Sequence, residues 1–263
     1  MPHYDRPVRA TVVRLGAHVS TLRGRIETAG VERSFFVCST PRTGSTMLGD
    51  LLADTGLVGR AGEYFGEFFR RDVVPGLSRR RFDDYVVDCT RHARGTGTLG
   101  IKLHWDQLEV FLHLLRLRRG LSGRGDREVI EAVFPQPRFI WMTRADTLAQ
   151  AVSWWKAMTT GKWTDGRLVT GEARFDADGI AGRVRRIDEH NGAWRRWFRA
   201  NGTEPLHVSY EELVADPTGV ARRVLELVGV DLPEGFSVSP RTERQADAVN
   251  EDWIRRYREL RVS

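Results

Sequence analysis

Apolar and polar positions alternate along the chain in blocks that predict strands followed by helices. Short apolar runs of strand length lie at 35–38, 98–103, 138–143 and 205–209. Each run precedes a segment in which apolar residues recur every three or four positions, which is typical of an amphipathic helix. Strands that alternate with helices form a mostly parallel central sheet flanked by helices. We therefore expect a single α/β domain.

The helical periodicity predicts helices at 45–55, 106–119, 126–132, 147–159, 179–200, 211–229 and 247–259. Glycines and charges near 119–127 and 160–175 predict loops, and the second is long enough to form a lid. Apolar residues between 11 and 28 recur with helical spacing and predict a further amphipathic helix. We assign 1–33 to an N-terminal extension that packs on its own domain, and 34–263 to that domain.

A small, polar loop joins the first predicted strand to the first helix, with the sequence Ser39-Thr40-Pro41-Arg42-Thr43-Gly44-Ser45-Thr46. A strand–loop–helix unit directs backbone N–H groups and the positive end of a helix dipole at one point, which suits a phosphate group. The loop differs from a nucleotide-triphosphatase P-loop because no lysine follows Gly44, and Arg42 is its one cation. The alternative is a polar turn in which Ser45 caps the helix.

Two further segments are expected to face the same crevice as this loop. Lys102–Trp105 follow the second predicted strand, and Arg144 follows the third. Open parallel sheets bind ligands beyond the carboxyl ends of their strands. The predicted topology therefore brings these residues to one ligand site.

The loop resembles the 5′-phosphosulfate loop of sulfotransferases that use 3′-phosphoadenosine 5′-phosphosulfate (PAPS). With arginine in the loop, it is similar to the bacterial branch that includes the mycobacterial trehalose 2-sulfotransferase. Further segments that match this branch in order are 59–65, 100–107, 144–155 and 243–258. The resemblance spans roughly 34 to 260, and it implies a P-loop-like sulfotransferase fold.

The resemblance implies a role for each matching residue at the donor site. Arg42 would stabilise the charge that develops on the leaving phosphate. The residues expected to hold the 5′-phosphate are Thr43, Gly44, Ser45 and Thr46. Arg144 and Ser153 resemble the pair that binds the 3′-phosphate. Arg244 and Gln245 would help to close over the nucleotide.

On the acceptor side, Glu63 stands at the family's general-base position. We expect partial burial to raise its pKa toward neutrality, which would suit a base for a sugar hydroxyl. Glu67 and His104 are the reserve candidates. Lys102, His104 and Trp105 are expected near the acceptor.

Composition and charge limit the partners and the compartment. The formal charge is +6, and nearly all basic residues are arginines. Arginines suit a doubly phosphorylated nucleotide, and the arginine runs lack the interleaved aromatics of a nucleic-acid groove. The two cysteines, Cys38 in the first strand and Cys89 in a helix, are expected to be buried thiols in a reducing cytoplasm. No metal-ligand spacing is present, and no apolar run is long enough to span a bilayer.

These observations lead us to expect a cytoplasmic, metal-independent carbohydrate sulfotransferase that releases 3′-phosphoadenosine 5′-phosphate (PAP). The resemblance also implies a homodimer. The segment Arg60-Ala61-Gly62 departs from the family's pattern. The acceptor therefore stays open among a trehalose-like sugar, a glycolipid and a glycosylated natural product. The alternative functions are a kinase or other phosphotransferase that uses ATP and Mg²⁺, and a non-catalytic nucleotide or nucleic-acid binder.

Overall fold

The computed structural model describes residues 21–66, 79–118, 120–163, 171–239 and 248–262. Its strands are β1 Arg33–Ser39, β2 Thr98–His104, β3 Pro137–Thr143 and β4 Leu206–Ser209. The helices before β3 are α1 Leu22–Thr28, α2 Ser45–Asp54, α3 Arg79–Cys89, α4 Trp105–Arg116 and α5 Asp126–Val133. The later helices are α6 Thr147–Thr160, α7 Ala177–Ala200, α8 Tyr210–Ala215, α9 Pro217–Leu227 and α10 Ala248–Val262.

The described strands form one parallel sheet in the order β2-β1-β3-β4. This arrangement confirms the α/β fold and all the strands expected from the apolar runs. β1 lies inside the sheet and is buried on both faces, which explains why its apolar run is continuous rather than alternating. Phe36 points into one core and Phe35 into the other, since successive side chains leave a strand on opposite faces.

Each face of the sheet is covered by its own set of helices. The core around Phe36 is completed by side chains of α1, α3, α4, α5 and α7. The core around Phe35 is completed by α2, α8 and α9. A third apolar cluster joins α6, α7 and α10.

The helix α1 packs on its own domain, because Leu22 and Ile26 are buried in the core around Phe36. The part of the predicted N-terminal helix that precedes residue 21 lies outside the described residues. The boundary at residue 33 stays a prediction.

The predicted helix over 211–229 is wrong as a single element. Asp216 separates α8 from α9, and its side chain accepts a hydrogen bond from the Gly219 N–H at 2.8 Å. Pro217 occupies the first position of α9, where its missing N–H costs nothing. The helix α3 is absent from the predicted helices. The prediction that Cys89 lies in a helix is nevertheless correct, because Cys89 is the last residue of α3.

A short segment runs along the outer side of β2 and carries Glu63 to the site. The Gly59 N–H donates to the Thr98 carbonyl at 2.9 Å, and the Lys102 N–H donates to the Gly62 carbonyl at 2.8 Å. A Cβ at Gly100 would lie 2.9 Å from the Ala61 Cα atom, so this close approach requires glycine. The backbone of Glu63 consequently lies beside the last residues of β2.

Candidate active site

The loop after β1 is built for close approach of an anion. Gly44 is the N-cap of α2, with φ 83°, and makes no side-chain capping bond. Ser45 is therefore the first residue of the helix, and the interpretation of Ser45 as its cap is wrong. The first N–H groups of α2 lack a capping oxygen from the N-cap residue, which leaves them suited to a phosphate.

Two residues that the sequence analysis missed hold this loop in place. Gln150 of α6 is fully buried, and its Nε2 donates to Thr40 Oγ1 and to the Pro41 carbonyl, each at 2.7 Å. Tyr210 lies against Gly44, where an added Cβ would be 2.7 Å from the Tyr210 Cδ2 atom. The signal for Gln150 was a polar residue among the apolar positions of a predicted helix.

The Arg42 side chain reaches from the loop to α6. Its Nε donates to Ser153 Oγ at 3.0 Å, and its Nη1 donates to the Trp163 carbonyl at 2.5 Å. The structure thus brings together two residues that the sequence assigned to opposite phosphates of one nucleotide.

Arg144 follows the end of β3, as expected. Its guanidinium lies over the Tyr210 ring, 4.5 Å from the ring centre. Its Nε is buried and has no hydrogen-bond partner in the described part of the chain. Since Tyr210 also contacts Gly44, one aromatic ring separates Arg144 from the loop. A guanidinium N–H without an acceptor fits an anionic ligand.

Glu63 lies at the centre of a cluster formed with β2 and α4. Its Oε2 is 3.2 Å from Lys102 Nζ and 3.5 Å from His104 Nε2. Its Oε1 accepts a hydrogen bond from Gln107 Nε2 at 2.7 Å. Lys102, His104 and Gln107 are buried, whereas the Glu63 side chain is 36 % exposed. The carboxylate is thus held from behind and open on one side.

The expected direction of the Glu63 pKa shift is wrong. Burial does act to raise the pKa of Glu63, but the hydrogen bond and charge of His104, the charge of Lys102 and the Gln107 hydrogen bond outweigh it. Together they hold the pKa of Glu63 well below its ordinary range. The carboxylate is therefore ionised at neutral pH and can accept a proton.

Lys102 joins this cluster to the loop. Its Nζ donates to Thr46 Oγ1 at 3.0 Å while it contacts Glu63. The ammonium that is absent from the loop sequence is therefore supplied by the neighbouring strand. Lys102 pairs with Val37 of β1, which places the end of β2 beside the loop that follows β1.

His104 and Trp105 connect the cluster to the core. His104 Nδ1 lies 3.1 Å from Ser39 Oγ. Trp105 packs edge-on against Trp194, with 5.2 Å between the ring centres, and is half-buried. The Trp194 indole N–H in turn donates to the Ser39 carbonyl at 3.0 Å.

Residues 34–260 match the family described as Stf0 sulphotransferase. The chain belongs to this family. It is 29 % identical over 256 residues to the trehalose 2-sulfotransferase of Mycobacterium tuberculosis (strain ATCC 35801 / TMC 107 / Erdman), covering 86 % of this chain and 94 % of that protein. It is also 29 % identical over 259 residues to the trehalose 2-sulfotransferase of Mycolicibacterium smegmatis, with the same coverage of 86 % and 94 %.

Among solved structures, the chain is similar to the sulfotransferase domain from the Synechococcus PCC 7002 olefin synthase. The identity is 18 %, the TM-score is 0.39, and the similarity covers 87 % of this chain and 88 % of that one.

Part of the predicted site and lid falls outside the residues that the structure describes. Arg244, Gln245 and Glu67 lie outside the described residues, as do residues 164–170 of the predicted lid. Within the described residues, no group of three or more His, Cys, Asp or Glu side chains could hold a metal ion. No described helix has the length and apolar character needed to cross a membrane.

Cys38 and Cys89 are free and buried, which confirms the expectation for their side chains. Burial raises the pKa of the Cys38 thiol well above its ordinary value. It also raises the pKa of Cys89 to about 11. Neither thiol is therefore suited to act as a nucleophile at neutral pH.

Proposed function

We propose that this sulfotransferase moves a sulfuryl group from PAPS to a hydroxyl of a carbohydrate or glycosylated acceptor, with Glu63 as the general base. The observation that supports it most directly is the position of Lys102. Its ammonium contacts both Thr46 of the loop and the Glu63 carboxylate. A phosphosulfate on the loop and a hydroxyl at Glu63 would therefore meet beside one positive charge.

The residues around the loop fit a donor with phosphates at both ends of its ribose. The uncapped start of α2 would hold the 5′-phosphosulfate together with Arg42. Arg144, whose Nε has no acceptor in the described residues, would bind the 3′-phosphate with Ser153. Because Ser153 Oγ accepts its bond from Arg42, its own hydrogen can be donated to a phosphate oxygen.

PAPS would supply the sulfuryl group, and the electron pair of the broken S–O bond would leave with the phosphate of PAP. Lys102 and Arg42 would stabilise the negative charge on the transferred and leaving oxygens. Glu63 would orient the acceptor hydroxyl and take its proton as the new S–O bond forms. Bond formation to sulfur makes that proton strongly acidic, so a carboxylate of low pKa is a sufficient base.

The similarity to trehalose 2-sulfotransferases supports a sugar as the acceptor. The segment beside Glu63 that departs from the family's pattern is fixed by its own contacts. Arg60 pairs with Asp50 at 2.5 Å, and the Tyr64 hydroxyl donates to the Arg60 carbonyl at 2.6 Å. Because this segment departs from the family's pattern, we propose a carbohydrate or glycoside acceptor rather than trehalose alone.

Nucleotide binding and group transfer test this function separately. Calorimetric titration with PAP, 5′-AMP and ATP–Mg²⁺ should show tight binding of PAP and marked selectivity for its 3′-phosphate. Incubation with ³⁵S-labelled PAPS and a panel of trehalose, other sugars, glycolipids and glycosides should label at least one panel member. Tighter binding of ATP–Mg²⁺ than of PAP would indicate a phosphotransferase. Salt-sensitive binding of oligonucleotides without PAP selectivity would indicate a nucleic-acid binder.

A further inference from the structure

Gln107, in the first turn of α4, contacts Glu63 through one end of its amide and His104 through the other. Its Nε2 donates to Glu63 Oε1 at 2.7 Å, and its Oε1 accepts from the His104 backbone N–H at 2.9 Å. We propose that Gln107 is a positioning residue that fixes which oxygen of the Glu63 carboxylate faces the reaction. This inference rests on the proposed role of Glu63 as the general base.

The backbone determines the orientation of the Gln107 amide. The His104 N–H can only donate, so the amide must present its oxygen to it. This bond is half of the capping box that begins α4, since His104 is the N-cap and Gln107 is the third helical residue. The amide nitrogen therefore has to point away from the backbone and toward Glu63. Helix initiation and carboxylate alignment depend on the same side chain.

The alignment separates the two oxygens of Glu63 by function. Oε1 is engaged by the buried Gln107 amide, which is 6 % exposed. Oε2 lies toward the Lys102 ammonium and the His104 ring. Since Lys102 also contacts Thr46, its ammonium links Oε2 to the loop. The geometry assigns Oε2 as the oxygen that takes the proton from the acceptor.

Gln107 also affects the charge of Glu63. The charged or titratable groups that act on the carboxylate are Lys102 and His104, both from β2. The contribution from α4 is the neutral amide of Gln107, which donates to the ionised form and so helps to lower the pKa of Glu63. Replacing this donor with an acceptor should reverse that contribution.

Gln107→Glu makes this replacement with little change in shape. Glutamate can still accept the His104 N–H, because glutamate and glutamine serve equally at this position of a capping box. Its second oxygen would face Glu63 Oε1, and two carboxylates in contact do not both stay ionised. The pair should titrate with an upper pKa that lies above the pKa of Glu63 in the wild type.

Two measurements follow the titration. Carbon-13 NMR of glutamate-labelled protein, with the Glu63 signal assigned from Glu63→Gln, reports it without any substrate. The pH dependence of kcat/KM for sulfuryl transfer to the best-labelled panel acceptor reports it during the reaction. In the wild type the Glu63 signal should stay that of an ionised carboxylate down to a pH below its ordinary range. In Gln107→Glu the pH at which the Glu63 signal titrates and the pH of the acidic limb should both rise.

Gln107→Met provides the second variant, and Glu128→Met is its matched control. Methionine removes both hydrogen bonds of Gln107, so the Glu63 pKa should rise and kcat should fall by roughly tenfold to a hundredfold through misalignment. Glu128 is the third residue of α5 and makes the corresponding bond to its N-cap residue, since its Oε2 accepts from the Gly125 N–H at 2.9 Å. Glu128→Met should reduce stability without changing the Glu63 titration or kcat.

The outcomes separate this inference from the proposed function. If the wild type transfers sulfate but both Gln107 variants leave the Glu63 titration and the acidic limb unchanged, the inference is overturned. If the wild type labels no acceptor, the proposed function fails, and the NMR titration still decides whether Gln107 controls Glu63. If Glu128→Met shifts the titration as much as Gln107→Met, the effect is structural and the inference is wrong.

Discussion

At the scale of single residues, Glu63 shows how neighbours decide the chemistry of a carboxylate. Burial and the surrounding donors act on its pKa in opposite directions, and the donors dominate. Its folded-state pKa therefore lies below the ordinary value of 4.5. Ionisation of Glu63 stabilises the fold above that pH, and this contribution is lost as the pH falls toward the folded-state pKa.

We therefore expect Glu63→Gln to lower the free energy of unfolding more at about pH 7 than at about pH 3. Urea denaturation of wild type and variant at both pH values measures the difference. Glu109→Gln, at an exposed position of α4, is the control for the loss of a carboxylate. A stability difference that grows on acidification would contradict the assigned direction.

A second prediction at this scale concerns the contribution of Arg144 to nucleotide affinity. Removing its guanidinium in Arg144→Ala should weaken PAP by roughly tenfold to a hundredfold, since charged hydrogen bonds contribute about 1.5–3 kcal/mol. The affinity for 5′-AMP, which lacks the 3′-phosphate, should change much less. Arg138→Ala removes the same charge from an exposed position near the start of β3 and should leave both affinities unchanged. Calorimetry on the three proteins decides the assignment, and equal losses for both nucleotides in Arg144→Ala would refute it.

The sequence motifs named these residues as candidates, but they did not predict their contacts. Glu63, Lys102 and His104 were all named from motifs, and the structure gathers them into one cluster. The pKa direction was wrong because it depends on which side chains of β2 turn toward the carboxylate. The role of Gln150 in holding the loop depends on long-range packing of α6, which a local pattern does not encode.

At the scale of elements, the strands were predictable because β1 and β2 are buried along nearly their whole length and are rich in apolar residues. The break between α8 and α9 is encoded in the sequence by Asp216 before Pro217. The prediction of one helix used the spacing of apolar residues alone, and that spacing continues across the break. The convergence of the loop and the end of β2 followed from the rule for parallel sheets. The segment that carries Glu63 along β2 was not predictable, because it depends on the close approach of Ala61 to Gly100.

The short helix α1 gives a test at this scale. Ile26 is fully buried in the same core as Phe36. We expect Ile26→Ala to cost about 2–5 kcal/mol of stability, as large-to-small core substitutions do. Thr28→Ala, at the exposed end of α1, should change stability by less than about 0.5 kcal/mol. Denaturant midpoints measure both, and a small effect for Ile26→Ala would show that α1 is dispensable to the core.

At the scale of the whole molecule, the parallel sheet and its two cores bring three strand ends to the same edge of the sheet. β1 leads into the loop, β2 carries Lys102 and His104, and β3 leads to Arg144. The third apolar cluster fixes α6, and α6 in turn supplies Ser153 to Arg42. The candidate site thus draws on the sheet and on the helices packed against it.

The central claim is that Glu63 acts as the base beside a nucleotide held by separate residues. Its most direct test compares Glu63→Gln with the wild type in PAP affinity and in the rate of ³⁵S transfer from PAPS. The account predicts unchanged PAP affinity and turnover lowered at least about a hundredfold, as expected for loss of a general base. Near-normal turnover in Glu63→Gln, with PAP still bound, would contradict it.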